Sequence, residues 1–190
     1  LFYPTWDQDA FRALAKEFGL PPQKKLSTLS QGNRTRFALA VALAHGAELL
    51  LLDEPSSGLD PVFRRELLDR LSGIIEGGQA SVLFSTHITS DLDRIADFVT
   101  FFRQGQMVFS TTREEVLERW ALVKGGADLL TGETRSLFRG VVTKEYGFVG
   151  LTDEVDEVRA LFEGQDIIVE KATLEDVVFY TGRTGQKGLR

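Results

Sequence analysis

The sequence predicts an α/β fold with a parallel sheet. Residues 48–52 end in a run of leucines that is too short for an independent helix and is typical of a buried parallel strand. Apolar residues then recur at helical spacing from Phe63 to Ile74, before the glycine pair 77–78, and a second apolar strand is predicted at 81–86. A strand, a helix and another strand in this order predict a parallel sheet with a helix packed on it.

The composition limits the classes of protein to which the chain can belong. With 190 residues, of which 43% are hydrophobic, it can bury one core, or one core and a small satellite domain. The net charge of −6 and the lack of a Lys/Arg-rich run argue against a nucleic-acid partner. Without cysteine there are no disulfides or thiolate metal sites, and no apolar run approaches the roughly 18 residues of a membrane span. We expect a globular chain that is held at a membrane, if at all, only by a partner.

The segment 1–28 predicts an amphipathic helix. Asp7 is a suitable cap for it, and apolar residues from Phe11 to Phe18 fall on one face. Gly19 and the prolines after it predict its end. This helix is interpreted as ordinary core packing.

A second helix is predicted from about Gln31 to His45, with Ser30 as its cap. The first amides of this helix, near Gly32, have no partner within the helix and lie at the positive end of its dipole. Such an end can bind phosphate, although a plain helix cap explains the same residues. His45 is interpreted as structural, because a partly charged imidazole suits the helix C-terminus.

Carboxylates and a histidine come directly after the two predicted strands. Asp53 and Glu54 follow the first strand, and His87 follows the second. Parallel strands bring their carboxyl ends to one edge of the sheet, which is where open α/β sheets bind ligands. Two carboxylates there suit a metal-bound nucleotide and its attacking water. Taken singly, the acids are also compatible with a solvent loop and His87 with an incidental histidine.

The remainder of the main sheet is predicted up to residue 120. Asp60 is expected to cap the helix after the first strand, with Pro61 in its first turn. Strands at 98–102 and 107–110, joined by a turn at 104–105, are expected to finish the main sheet.

The composition of the sequence changes near residue 121, where the predicted strands become shorter and glycine becomes more frequent. Just before this change, Thr112 and Glu115 predict a capping box for a helix that ends near Trp120. After it, segments 137–143 and 146–151 are expected to pair as a hairpin.

The last segments predict a small α+β region. A helix is expected from Thr152 and a strand at 167–171. A final helix should begin at a capping box formed by Thr173 and Asp176, and residues 181–190 are expected to be a frayed tail. An acidic cluster near its first helix is compatible with a cation site, but is interpreted as the first turn of that helix, where negative charge is favoured. The cluster consists of Asp153, Glu154, Asp156 and Glu157.

The order of these motifs resembles the second half of an ATP-binding cassette (ABC) ATPase. Residues 29–33 resemble the family signature, 49–55 the Walker B strand, 57–60 the D-loop, and His87 the switch histidine. The likeness is strongest over 26–107.

The signature departs in part from the family pattern, which is most often Leu-Ser-Gly-Gly-Gln. Ser30 and Gly32 match it, whereas Gln31 and Asn33 replace Gly and Gln. The fit of this motif to the γ-phosphate therefore differs in detail from that of the family.

The resemblance implies a role for each matching residue. Residues 30–32 would bind ATP held on a second subunit. Asp53 would hold Mg²⁺ through a coordinated water, and Glu54 would orient the attacking water or accept its proton. His87 would hydrogen-bond the γ-phosphate, and Asp60 of the D-loop would join the catalytic groups. ATP and Mg²⁺ are the implied ligands.

The resemblance also implies a fold and a domain organisation. The fold would be a partial P-loop NTPase core with a parallel sheet and a helical subdomain, followed by a small α+β C-terminal extension. Residues 1–28 would belong to the helical subdomain, 29–120 to the ATPase core and 121–190 to an accessory domain.

The Walker A loop of the family is absent from the sequence. That loop needs Gly followed by Lys and then Ser or Thr, and no Gly here is followed by Lys. We expect the chain to be a C-terminal fragment of an ATPase, inactive by itself and prone to self-association through exposed sheet edges.

The implied partners are a transmembrane permease subunit and a second ATP-binding subunit, as homodimer or heterodimer, at the cytoplasmic face of the cell membrane. The segments Pro4–Asp7 and Leu174–Asp176 look like those of bacterial exporter-type ATPases often encoded beside GntR-class regulators. Two alternatives remain: a soluble ABC ATPase without a membrane partner, and a non-catalytic module that contributes only the signature.

Overall fold

The computed structural model of the protein describes residues 3–183. The chain divides into two units, Leu1–Ile95 and Ala96–Arg190, which are called the first and the second unit below. This division falls within the segment 29–120, and the domain limits at 28 and 120 stay a prediction. No helix among residues 3–183 combines the length and apolar character needed to cross a membrane.

The first unit alternates helices and strands, as the sequence predicts. Its elements are α1 (Gln8–Glu17), α2 (Gln31–Leu43), β1 (Leu49–Asp53), α3 (Pro61–Glu76), β2 (Ser81–Ser85) and α4 (Thr89–Ile95), with a short 3₁₀ helix at Leu26–Thr28 before α2. Asp7 caps α1 by accepting hydrogen bonds from two backbone amides. Helix α2 ends at Leu43, slightly before the predicted end at His45.

Strands β1 and β2 pair in parallel, in register from Leu49 opposite Ser81 to Asp53 opposite Ser85. Helix α3 makes the crossover that a parallel pair requires. The core of this unit joins one face of the sheet to α1, α2 and α3. Its buried members are Leu14, Phe18, Leu39, Ala40, Ala44, Leu50, Phe63, Leu67 and Leu71. The predicted α/β architecture is therefore confirmed.

The other face of the β1–β2 sheet is exposed in the first unit. Side chains alternate between the two faces of a strand, so Leu50 is buried while Leu49 and Leu51 are 53% and 68% exposed. Leu83 on β2 is 65% exposed. The prediction of a buried strand is wrong for this face, because helices of the unit cover only the opposite one.

The second unit begins with a hairpin and continues as an antiparallel α+β structure. Its elements are β3 (Phe98–Arg103), β4 (Gln106–Thr112), α5 (Arg113–Arg119), β5 (Ala121–Gly125), β6 (Gly140–Lys144), β7 (Gly147–Thr152), α6 (Val155–Leu161), β8 (Ile167–Lys171) and α7 (Leu174–Arg183), with 3₁₀ helices at Ala127–Leu129 and Thr134–Leu137. The predicted capping box of Thr112 and Glu115 is present at α5. The predicted hairpin of 137–143 and 146–151 forms as β6 and β7.

Strands β3 and β4 form a two-stranded sheet of their own. The prediction that they finish the main sheet is wrong. Gln104 and Gly105 both have positive φ, at 48° and 76°, and this two-residue turn pairs the two strands with each other.

The other sheet of the second unit has four antiparallel strands in the order β6-β7-β5-β8. Val123, Phe148 and Val158 lie in its core. Gly140 permits close packing of α7, since a Cβ there would lie 2.2 Å from the backbone oxygen of Tyr180. Helix α7 continues to Arg183, so the predicted frayed tail is wrong at its beginning. Residues 184–190 of that tail lie outside the described part of the chain.

The acidic stretch before α6 binds arginines. Asp153, whose side chain is 5% exposed, accepts hydrogen bonds from Arg119 at 2.9 Å and from Arg139 at 2.6 Å. Asp156 and Glu157 lie in the first turn of α6, as interpreted from the sequence. Within residues 3–183 no group of three or more His, Asp and Glu side chains is placed to hold a metal ion, so a cation site built by these four acidic residues is not supported.

Asp153 should make the stability of the second unit depend on pH. Burial raises the pKa of this carboxyl, but the hydrogen bond and charge of Arg139 and the charge of Arg119 outweigh it, and the net pKa is lowered. A carboxylate whose pKa is lower in the folded protein than in the unfolded chain stabilises the fold at pH values above the unfolded pKa. This stabilisation is lost as the pH falls through the folded pKa. Asp153→Asn should therefore lower the free energy of unfolding by about 1–3 kcal/mol at pH 7. The cost should shrink steadily below about pH 4.

Urea denaturation of both proteins at several pH values measures this difference. The matched control is Asp156→Asn, which makes the same change at an exposed position of α6. A cost of Asp153→Asn that stays constant from pH 7 into the acid range would contradict the assignment.

Candidate functional site

The carboxyl ends of β1 and β2 hold the first group of predicted site residues. The parallel register places Asp53 opposite Ser85, whose hydroxyl donates to Asp53 Oδ1. The backbone amide of Glu54 donates to both the carbonyl oxygen and the hydroxyl of Ser85, each at 3.1 Å. Ser85 therefore links the carboxylate of Asp53 and the backbone of Glu54 to the end of β2, a role that sequence reasoning missed.

Glu54 and His87 are in direct contact. His87 Nδ1 lies 2.8 Å from Glu54 Oε2, and the side chains are 70% and 37% exposed, respectively. Glu54 has φ of 47°, a left-handed conformation that is uncommon for a residue with a side chain and that recurs at functional turns. The sequence predicted this edge as the meeting place of Asp53, Glu54 and His87, and the structure brings them together there.

The N-terminus of α2 forms a second, separate cluster. Ser30 is its cap and accepts a hydrogen bond from the amide of Asn33 at 3.3 Å, as predicted. Ser30 and Gln31 are exposed, and a Cβ added to Gly32 would have no atom of the chain within 4 Å. Among the described residues, the hydrogen bonds of this cluster do not reach the carboxylates at the end of β1.

Asp60 is engaged by its own helix and by an arginine. Its Oδ1 accepts from the amide of Phe63 at 3.0 Å, and its Oδ2 accepts from Arg36 at 2.6 Å. The hydrogen bond from Phe63 is the main reason that the pKa of Asp60 is lowered, and Arg36 adds to it. Arg36 also donates to the carbonyl of Phe18 at 3.1 Å and lies 4.1 Å from the centre of the Phe63 ring. Asp60 thus ties α3 to α2, and its catalytic role stays a prediction.

Sequence reasoning also missed a buried carboxylate close to the site. Asp91, at the start of α4, is fully buried and binds Ser56 and Arg64. No apolar pattern marks it, because Asp is usually exposed.

The donor set at the end of β1 fits Mg²⁺ rather than a metal held by protein alone. Mg²⁺ is usually bound by one or two carboxylates together with water and substrate phosphates. Asp53 is exposed and one of its oxygens has a hydroxyl donor, which leaves carboxylate oxygen for a coordinated water.

Comparisons with known proteins point in the same direction. A family model described as "AAA domain, putative AbiEii toxin, Type IV TA system" matches residues 24–92. The Nod factor export ATP-binding protein I of Neorhizobium galegae is 30% identical over 173 residues, which are 86% of this chain and 50% of that protein. The bacitracin transport ATP-binding protein BcrA of Enterococcus faecalis is 33% identical over 97 residues, 51% of this chain and 32% of that protein.

The energy-coupling factor transporter ATP-binding protein EcfA2 of Enterococcus faecalis (strain ATCC 700802 / V583) is 34% identical over 96 residues. These are 50% of this chain and 33% of that protein. The chain spans half or less of the length of the curated relatives that it matches first.

A parallel strand pair that ends in adjacent carboxylates beside a histidine, together with the matching family model, defines an α/β protein of the P-loop NTPase class. Within that class, the relatives that the chain matches are named as ATP-binding proteins, one of them for bacitracin transport and another for Nod factor export. The chain is similar to ATP-binding cassette transporter proteins over most of its length.

Proposed function

We propose that the protein is the ATP-binding and ATP-hydrolysing subunit of a bacterial ABC transporter. The observation that carries the proposal is the contact of Glu54 with His87, directly after Asp53. Phosphoryl transfer asks a protein mainly for positioning and for stabilisation of charge around the γ-phosphate. These three side chains are suited to that task.

Glu54 would act on the attacking water, and His87 would act on the γ-phosphate. Glu54 Oε2 faces His87, so Oε1 is available to accept a proton from the attacking water or to orient it. His87 Nδ1 faces Glu54, and its other ring nitrogen is available to hydrogen-bond the γ-phosphate. Asp53 would hold Mg²⁺ through a coordinated water, and bound Mg²⁺ supplies neutralisation of charge on the phosphate oxygens.

The cluster at the start of α2 would bind the ATP of a second subunit. Ser30 and Gln31 are exposed, and the space beside Gly32 is open within the chain. The unpaired amides and the dipole of a helix N-terminus favour an anion at this place. Among the described residues no hydrogen bond joins this cluster to Glu54 or His87, and we infer a site completed by another subunit, in a homodimer or a heterodimer.

The relatives support a membrane partner, since they are named as ATP-binding proteins for bacitracin transport, Nod factor export and an energy-coupling factor transporter. A transmembrane permease would hold the protein peripherally at the cytoplasmic face of the cell membrane. The finer assignment is to the exporter-type group often encoded beside GntR-class regulators.

ATP binding and hydrolysis by the 190-residue chain, alone and mixed with a longer polypeptide that includes a Gly-Lys-Ser/Thr loop, test the proposal. We expect the chain alone to be silent, because it lacks that loop, and to bind the longer polypeptide in an ATP-dependent way. Hydrolysis by the chain alone would contradict the site assignment. ATP-dependent binding without hydrolysis by either would favour a non-catalytic module that contributes only the signature.

A further inference from the structure

Asp91 is the only fully buried carboxylate of the first unit within residues 3–95. Both of its carboxylate oxygens accept hydrogen bonds. Its Oδ2 accepts from the Ser56 hydroxyl at 2.5 Å. Its Oδ1 accepts from Arg64 Nε at 2.8 Å and from a second nitrogen of the same guanidinium at 2.5 Å. Arg64 also donates to the Ser90 hydroxyl at 2.9 Å. A buried charge of this kind is tolerated only when it is paired and hydrogen-bonded.

These bonds join the two loops that carry the reacting side chains. Ser56 is 2% exposed and lies in the turn that begins at Glu54. Asp91 lies in the first turn of α4, the helix that follows His87, and its amide donates to the Ile88 carbonyl at 3.0 Å. One carboxylate therefore restrains the loop after β1 and the loop after β2 at the same time.

The sheet alone does not provide this restraint. Pairing of β1 with β2 ends at Asp53 opposite Ser85, before either reacting side chain. Beyond this point only the amide of Glu54 is bonded to the neighbouring strand. His87 is 70% exposed, so packing does not fix its ring.

We propose that Asp91 is a positioning residue, which acts through Ser56 and Arg64 to hold Glu54 and His87 at the distance that activation of water requires. The inference rests on the proposed ATPase function and extends it to a residue that does not touch the substrate. A displacement of a catalytic group by about 1 Å can lower the rate about a hundredfold. A restraint that prevents such a displacement therefore has a large effect on turnover.

Asp91→Asn in the longest ATP-hydrolysing form of the protein is the first test. Asn has nearly the same shape and can still pair with Ser56, but it loses the charge that fixes Arg64. We expect kcat for ATP hydrolysis to fall about tenfold to a hundredfold, with KM for ATP changed by less than about threefold. The matched control is Asp93→Asn, which makes the same change at an exposed position of the same helix and should leave kcat unchanged.

Ser56→Ala is the second test, because it removes one hydroxyl and keeps the Asp91–Arg64 ion pair. It should lower kcat about tenfold while the melting temperature stays near that of wild type. If Asp91→Asn does not fold, the result of Ser56→Ala decides.

Single-turnover hydrolysis with Asp91→Asn placed in a Glu54→Gln background separates positioning from general damage. If Asp91 acts through Glu54 and His87, Asp91→Asn should slow hydrolysis less in the Glu54→Gln background than in wild type, because the part of its effect that passes through Glu54 is already lost. Additive losses, or wild-type kcat in both Ser56→Ala and Asp91→Asn, would overturn the inference. The proposed function itself fails only if wild type does not hydrolyse ATP or if Glu54→Gln retains the wild-type rate.

Discussion

Glu54→Gln is expected to abolish ATP turnover while ATP-bound dimers are retained. The amide keeps the size and the hydrogen-bonding reach of the side chain, including a contact to His87, but it cannot accept a proton from water. Loss of a general base costs at least about a hundredfold in rate. The measurement is steady-state phosphate release by the longest available form of the protein, with gel filtration in ATP to follow the dimer.

The control for this variant is Glu48→Gln, which makes the same change at an exposed position just before β1. Its turnover should equal that of wild type. Unchanged hydrolysis by Glu54→Gln would show that Glu54 is not the general base. The proposed catalytic role of its contact with His87 would then be wrong as well.

Ser30→Arg is expected to block closure of the dimer and to lower turnover about a hundredfold, while ATP binding by the monomer stays intact. The cap of α2 is exposed, so an arginine can be accommodated within the chain but would fill the space that a second subunit's ATP needs. Loss of the cap itself costs about 1 kcal/mol of stability, which a melting curve measures separately. ATP binding is measured by fluorescence titration and dimer closure by gel filtration.

Two further variants make this test specific. Ser27→Arg adds the same charge at an exposed position before α2 and should have little effect. Gly32→Ala adds a single Cβ that meets no atom of the chain within 4 Å, so a loss of turnover would report an approaching ligand. Normal turnover by Ser30→Arg would count against binding of ATP in trans.

The helices and strands of the first unit were largely predictable because their signals are local. The caps Asp7, Ser30 and Asp60 each bond an amide two or three residues ahead. Apolar spacing along α3 placed Phe63 and Leu67 in the core. The edge at which Asp53, Glu54 and His87 meet was predictable as well, since parallel pairing brings carboxyl ends together.

Burial and pairing at a distance were not predictable in the same way. The sequence suggested that the hairpin that begins at Phe98 would extend the main sheet, whereas β3 and β4 form a two-stranded sheet of their own. Leu51 looks like a core residue in a run of leucines, yet it lies on the exposed face of β1. The sheet that a strand joins depends on which other strand lies beside it. The residues of the strand itself do not specify that neighbour.

By itself, the sequence determined the order of elements in the first unit and the helix caps, because each depends on residues within one turn or one strand. Only the tertiary structure decided that Asp91 is buried between Ser56 and Arg64, and that Arg36 holds Asp60. Those bonds join residues far apart in the chain. They form because a buried charge must find its partner wherever the fold places one.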